Sequence, residues 1–138
     1  MNLIALEGAN DFRKDESIKL SFLDDHHIFP HAYLRNVKDE QSKPKYSKDK
    51  INCILNRTLI SSETNKYISS SNPSEYIQTI IPSAEKESIL RSHFINQDAI
   101  EKMKSDNFEG FIEDREKEIL SKLKDRLNII SGDQDFLH

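Results

Sequence analysis

The sequence predicts a single α+β domain, in which two short strands precede a series of helices. The length of 138 residues suits one domain. Residues 17–23 alternate polar and apolar side chains, which is the period of a half-buried strand, and residues 56–60 form a second run of strand character after a polar start. Apolar side chains then recur at helical spacing from Phe108 to Leu127. We therefore expect one domain over residues 1–138.

The first predicted strand leads into a turn that contains two histidines. Pro30 can open a helical turn, because the N–H that proline lacks would have no partner at a helix start, and residues 31–35 would continue it. Residues 37–50 are polar and rich in lysine. We expect this segment to be a solvated loop that either links its neighbours or contacts phosphate groups.

Helix signals follow the second predicted strand. Ser61 or Ser62 is suited to cap a short helix, and Glu63 would lie in its first turn, where a carboxylate is favoured. We expect a core at about residues 17–82 and a helical extension at about residues 84–131. The further predicted helices are residues 74–81, 84–94 and 97–104, and a long helix that Asp106 or Asn107 caps and that ends before Gly132.

The composition limits the class of protein. Cys53 is the only cysteine, which excludes an internal disulfide and a thiolate zinc cage, and its apolar neighbours favour burial. No apolar run approaches the roughly 18 residues that a membrane span needs, and the start of the chain lacks the features of a signal peptide. We therefore expect a cytoplasmic protein without a membrane partner.

Charge is distributed unevenly along the chain. The formal net charge of −4 argues against a protein that coats nucleic acid indiscriminately. Basic residues nevertheless cluster in the middle third, whereas the segment from Asp98 onward is richer in acidic residues, so a basic groove on an acidic body is compatible with the sequence. The basic cluster consists of Arg35, Lys38, Lys43, Lys45, Lys48, Lys50, Arg57 and Lys66.

The segment from Asp24 to Pro30 contains the strongest candidates for chemistry. Two carboxylates precede the adjacent His26 and His27, and neighbouring side chains of an extended segment point in opposite directions. This arrangement suits one imidazole that binds a metal ion and one that accepts a proton, both of which histidine does near neutral pH. The alternative is a surface turn in which the histidines have no chemical role.

His27 begins the run His-Ile-Phe-Pro, and Asn56 and Asn65 follow in the second strand region and the next helix. This order of residues resembles that of HNH nucleases, also called ββα-metal nucleases, in the His–Asn–Asn form of their motif. The likeness extends to the C-terminal nuclease region of the GmrSD-type family of modification-dependent restriction and anti-phage proteins. The segments that keep the order of that region are residues 8–12, 24–30, 54–58, 64–66 and 73–76, followed by His93 with Ile95 and by residues 108–111 with Arg115.

The resemblance implies a role for each matching residue. It makes His27 the general base, His26 and Asn65 metal ligands, and Asn56 the residue that braces the loop of the catalytic histidine. Apart from the resemblance, Asp24 or Asp25 would be a further metal ligand or would orient a histidine through a hydrogen bond, with a solvated Asp25 as the alternative. Arg57 and Lys66 are candidates for phosphate binding, although a solvated basic residue is nearly as common.

The resemblance also implies a cofactor and partners. We expect a divalent metal ion, Mg²⁺ first and Mn²⁺, Ni²⁺ or Zn²⁺ as alternatives because one ligand is an imidazole. DNA would be the substrate, cut or nicked to leave 5′-phosphate and 3′-hydroxyl ends in prokaryotic defence. Proteins of this kind carry an N-terminal nucleotide-binding domain to which nothing in this chain corresponds, so that domain or a separate protein is an expected partner.

Other functions remain open at this stage. The acidic net charge and the missing partner domain favour a DNA-binding or interaction module whose nuclease site is silent alone. A metal site with a purely structural role is a third possibility. We expect His31, His93 and Arg115 to have structural roles, the last as an arginine that reaches from the long helix to the core.

Overall fold

A computed structural model describes Phe12 and residues 23–135, with side chains as far as Asn128. The described part has an α+β architecture, as the sequence predicted, with a two-stranded sheet and a surrounding set of helices. The elements are β1 (Leu23–His27), α1 (His31–Leu34), α2 (Lys48–Ile51), a 3₁₀ turn (Ile54–Asn56), β2 (Arg57–Ser61), α3 (Ser62–Ile68), α4 (Pro73–Thr79), α5 (Lys86–Arg91), α6 (Gln97–Lys104) and α7 (Phe108–Asp135).

The sheet is an antiparallel pair that leads directly into a helix. In its register, His26 lies opposite Thr58 and His27 lies opposite Arg57. Helix α3 begins at the residue after β2, and the side chain of Ser61 caps it by accepting a hydrogen bond from the backbone N–H of Thr64. The cap was predicted at Ser61 or Ser62. Residues 17–22 of the first predicted strand lie outside the described residues.

Two local predictions were wrong. Residues 48–51 form helix α2 within the segment expected to be a loop, because Ser47 caps it by accepting from the N–H of Lys50. Helix α7 does not end before Gly132 but continues to Asp135. Its start agrees with the prediction, since the side chain of Asn107 accepts a hydrogen bond from the N–H of Gly110.

The core lies between the sheet and the helices. It includes buried side chains of α1, β2, α3, α4, α5, α6 and the first turns of α7, and Cys53 and Tyr33 pack against it as partly buried residues. Among the described helices, none combines the length and apolar character needed to cross a lipid bilayer. The buried apolar residues are Phe12, Ile28, Phe29, Leu34, Ile51, Ile60, Ile68, Tyr76, Ile77, Ile81, Ile89, Leu90, Phe94, Ile95, Ala99, Ile100, Met103, Phe108, Phe111 and Ile112.

Within the described side chains of helix α7, which end at Asn128, the buried residues lie between Phe108 and Arg115. Phe108, Phe111 and Ile112 belong to the core, whereas Leu120 and Leu127 are more than half exposed. The apolar stripe predicted from the sequence therefore continues along the helix beyond the part that packs against the core. Arg115, at the boundary between these two parts, is fully buried.

Candidate functional site

The end of β1 places the two histidines in different environments. His26 shares the core face of the strand pair with Thr58 and is buried, whereas His27 is half-buried at the end of the strand. Both line one open cleft of about 280 Å³. The residues around this cleft are Asp25, His26, His27, Pro30, His31, Ala32, Asn65, Ser69 and Ser70.

Three of the proposed metal-site residues form a hydrogen-bonded chain. Nδ1 of His26 lies 3.0 Å from Oδ1 of Asn65, and Nδ2 of Asn65 donates to a carboxylate oxygen of Asp24 at 3.2 Å. The hydroxyl of Ser62 donates to the other oxygen of Asp24 at 3.0 Å. Asp24 therefore holds the amide of Asn65, rather than a histidine, with the amide oxygen toward His26, and it lies outside the lining of the cleft.

His26 is neutral near pH 7. Burial lowers the pKa of this imidazole to about 4, the hydrogen bond to Asn65 partly opposes that shift, and the neighbouring His27 adds to it. Since the amide oxygen of Asn65 accepts, Nδ1 carries the ring proton in this geometry. The other nitrogen, Nε2, is buried and has no hydrogen-bond partner among the described residues. The rings of Phe12 and Tyr76 meet His26 edge-on.

Asn56 joins the turn after His27 to the segment before β2. Its Oδ1 accepts from the N–H of Phe29 at 2.8 Å, and its Nδ2 donates to the carbonyls of Phe29 and Ile51 at 3.1 and 2.9 Å. Its backbone carbonyl accepts from the N–H of Ile28 at 2.8 Å. Asn56 is fully buried, so these bonds hold the turn after His27 against the segment that precedes β2.

Replacing Asn56 with aspartate is expected to lower the free energy of unfolding by about 2–4 kcal/mol, because the isosteric carboxylate cannot donate to the two carbonyls and is buried without a cation. Asn36→Asp is a matched control, since Asn36 is exposed and donates a single hydrogen bond, to the carbonyl of Ala32. Urea unfolding followed by circular dichroism measures both. Equal stability of the two variants would contradict the bracing role of Asn56.

His27 has a partner that the sequence did not reveal. Its Nε2 lies 2.8 Å from Oδ1 of Asn52, the residue that ends helix α2. The ring of His31 meets it edge-on with 6.3 Å between centroids. In the sequence, Asn52 stands out as an amide side chain within the otherwise apolar run of residues 51–55, and this feature could have marked it as a candidate.

The two candidates for phosphate binding differ in their surroundings. Arg57 forms an ion pair with Asp25 across the strands, and one of its nitrogens lies 3.5 Å from the carbonyl of Asn52. Lys66 is exposed on α3, one residue beyond Asn65. Neither side chain lines the cleft, so phosphate binding by either would occur at its edge.

Arg115 connects α7 to the segment that precedes β2. Its guanidinium donates to the carbonyls of Leu55 and Arg57, both at 2.8 Å, and to that of His93 at 3.1 Å. Burial lowers its pKa to about 10, so it remains charged at pH 7. The imidazole of His93 lies 2.6 Å from the hydroxyl of Thr58 in the core. The structural roles expected for Arg115 and His93 agree with these contacts.

The donor set around Asn65 can be tested for its fit to a metal ion. Two ligand atoms at right angles and about 2.1 Å from an octahedral cation lie about 3.0 Å apart, and Nδ1 of His26 and Oδ1 of Asn65 are separated by 3.0 Å. Within the described residues there is no group of three His, Cys, Asp or Glu side chains that could hold a metal ion. A cation at this position would therefore depend on the asparagine oxygen and on water or substrate oxygens, as magnesium does.

Comparison with known proteins gives one relative and no function. The chain is 34% identical, over 145 aligned residues, to an uncharacterized protein of Methanocaldococcus jannaschii. The alignment covers 88% of this chain and 24% of that protein, so the chain spans about a quarter of the length of the curated relative that it matches. No protein-family model matches the chain. No solved structure matches it either.

Proposed function

We propose that this chain is a metal-dependent endonuclease of the HNH, or ββα-metal, type that cuts or nicks DNA. The observation that supports this most is the contact of 3.0 Å between Nδ1 of His26 and Oδ1 of Asn65 beside His27 in one cleft. The three residues come from β1 and from α3, which follows β2 without a connecting loop. The family resemblance implies this order, in which an antiparallel strand pair is followed by a helix.

The proposal gives each residue a separate task. His27 would accept a proton from the attacking water, since it is the half-buried imidazole and can be reached from the cleft. His26 and Asn65 would hold the metal ion with Nδ1 and Oδ1, with the ring proton of His26 then on Nε2, the nitrogen that has no hydrogen-bond partner among the described residues, and Asp24 would keep the amide of Asn65 in that orientation. Asn56 would fix the turn that carries His27.

The metal ion would supply Lewis acidity toward the phosphoryl and leaving oxygens of the DNA backbone. Both of its proposed protein ligands are neutral, because burial keeps His26 uncharged and Asn65 has an amide. The protein would therefore leave the positive charge of the cation available to the charged phosphate. Mg²⁺ suits an open site with few protein ligands, and Mn²⁺ suits the imidazole better.

The function in a longer protein is part of the same proposal. Because the chain spans about a quarter of its archaeal relative, a recognition domain elsewhere in such a protein could direct the nuclease to its DNA. Restriction of foreign DNA is the role that the GmrSD resemblance suggests. In this proposal the residues of the cleft carry out the cleavage, and the recognition domain determines which DNA is cut.

Incubation of supercoiled plasmid with the protein in Mg²⁺ or Mn²⁺ tests the proposal. Nicked and linear products are expected with either metal and none with excess EDTA, and DNA ligase should seal the nicks because the ends would be 5′-phosphate and 3′-hydroxyl. Asn65→Leu should lower the cleavage rate at least about 10-fold by removing a ligand. Asn36→Leu makes the same chemical change at an exposed residue that does not line the cleft and should cut like the wild type.

Two other outcomes would change the interpretation. Retention of DNA in a gel shift without cleavage, at high protein and with both metals, would favour the DNA-binding module with a silent site. Tight metal binding with a large gain in stability and no affinity for DNA would favour a structural metal site. Either result would contradict the nuclease proposal for this chain alone.

A further inference from the structure

We propose that Asn52 is a positioning residue that selects the tautomer of His27 and thereby leaves Nδ1 as the proton acceptor. This inference deepens the proposed nuclease function and rests on it for the role of His27. The contact that carries it is the distance of 2.8 Å between Nε2 of His27 and Oδ1 of Asn52. No role for Asn52 follows from the family resemblance, which assigns bracing to Asn56.

The direction of this hydrogen bond fixes the proton on the ring. An amide oxygen accepts only, so Nε2 of His27 donates and must carry the hydrogen of the neutral imidazole. The lone pair then belongs to Nδ1. A base that abstracts a proton from water needs that lone pair at one defined nitrogen, and the hydrogen bond made by the other nitrogen determines which one it is.

Asn52 is itself held in place by its neighbours. It ends helix α2, which Ser47 caps, and its backbone N–H donates to carbonyls of that helix. Arg57 lies opposite His27 in the sheet, pairs with Asp25 and approaches the carbonyl of Asn52 at 3.5 Å. The side chain of Asn52 is exposed, and its backbone is held at the end of a short helix and next to the sheet.

The same contacts give Arg57 a role other than phosphate binding. Its guanidinium lies between Asp25 and the Asn52 backbone, on the face of the sheet that bears His27. Among the described residues, the charged and titratable groups near the His27 ring include the adjacent His26 and Asp25 from its own strand, Arg57 from β2, and His31 from α1. The amide of Asn52 carries no charge, so replacing it with leucine removes the hydrogen bond to His27 without removing a charge.

Two variants separate the hydrogen bond from the shape of the side chain. Asn52→Leu is nearly isosteric and removes the acceptor, whereas Asn52→Asp keeps an acceptor oxygen at the same place. We expect Asn52→Leu to lower kcat about 10- to 100-fold with little change in KM. Asn52→Asp should keep most of kcat and raise KM, because its added negative charge repels the DNA backbone.

Nitrogen-15 NMR of the histidine rings measures the tautomer directly and needs no cleavage activity. The neutral ring of His27 should carry its proton on Nε2 in the wild type and in Asn52→Asp, and should become a mixture of tautomers in Asn52→Leu. Circular dichroism melting of the three proteins confirms that each is folded. A failure of plasmid cutting by the wild type would remove the nuclease proposal but would not alter this measurement.

Each result decides the inference. A wild-type His27 with its proton on Nδ1, or an Asn52→Leu variant that keeps the proton on Nε2, would overturn the selection of the tautomer by Asn52. A wild-type kcat in Asn52→Leu, despite a changed tautomer, would overturn the positioning role. The expected changes in both tautomer and kcat would support it.

Discussion

His27→Ala is expected to lower the rate of metal-dependent plasmid cleavage by about 10²–10⁴-fold, which is the range for loss of a general base. His27 is half-buried at the end of β1, lines the cleft and points one nitrogen at Asn52. Among the described residues, its side chain contacts Asn52 and His31, neither of which is buried in the core. The loss should therefore appear in kcat and leave the melting temperature close to that of the wild type.

His26→Ala is the matched comparison for this prediction, because it removes the adjacent imidazole. His26 is buried and contacts Asn65, so this variant should lose affinity for Mn²⁺ in isothermal titration calorimetry, whereas His27→Ala should retain it. Equal cutting by the wild type and His27→Ala would refute the assignment of the base. Equal loss of Mn²⁺ affinity in both variants would show that His27 is a ligand instead.

Arg115→Met is expected to lower the free energy of unfolding by at least about 3 kcal/mol. Methionine matches the length of the arginine stem but leaves the buried carbonyls of Leu55, Arg57 and His93 without their donor. Arg115→Lys should recover only part of the loss, because one ammonium group cannot reproduce the planar set of donors of a guanidinium. Urea denaturation at pH 7 measures all three proteins.

Arg91→Met is the control variant, because it replaces a surface arginine with the same residue and shows how much the substitution alone changes stability. The guanidinium of Arg91 pairs with Glu87 on the surface of α5, and both side chains are more than half exposed. Exposed pairs of this kind contribute about 0–1 kcal/mol. If Arg115→Met were no less stable than Arg91→Met, the proposed connection between α7 and the segment before β2 would be wrong.

The local features of this fold were predictable because they depend on neighbours in the sequence. The capping serine at residue 61 and the helical spacing that begins at Phe108 act within a few residues, and both agree with the structure. Helix α2 was not predicted because its four residues are too few to show the helical spacing of apolar side chains, and two of them are lysines. Gly132 was taken as a helix end, although a glycine inside a helix costs only about 1 kcal/mol.

The contacts within the candidate site depend on tertiary structure and were harder to predict from the sequence. The contact between His26 and Asn65 joins residues 39 positions apart, and only the family resemblance suggested it. Asn52 and His27 are 25 positions apart, and the resemblance gave no reason to pair them. The helical stripe placed Arg115 toward the core but could not show which carbonyls it would bind.

Successive side chains of a β-strand point to opposite faces of the sheet. Which of the two histidines is buried therefore depends on the register that places Thr58 opposite His26. Sliding β1 by one position along β2 would exchange the two histidines between core and solvent. Deletion or insertion of a single amino acid between Leu23 and His26 should therefore be far more damaging than any conservative replacement there.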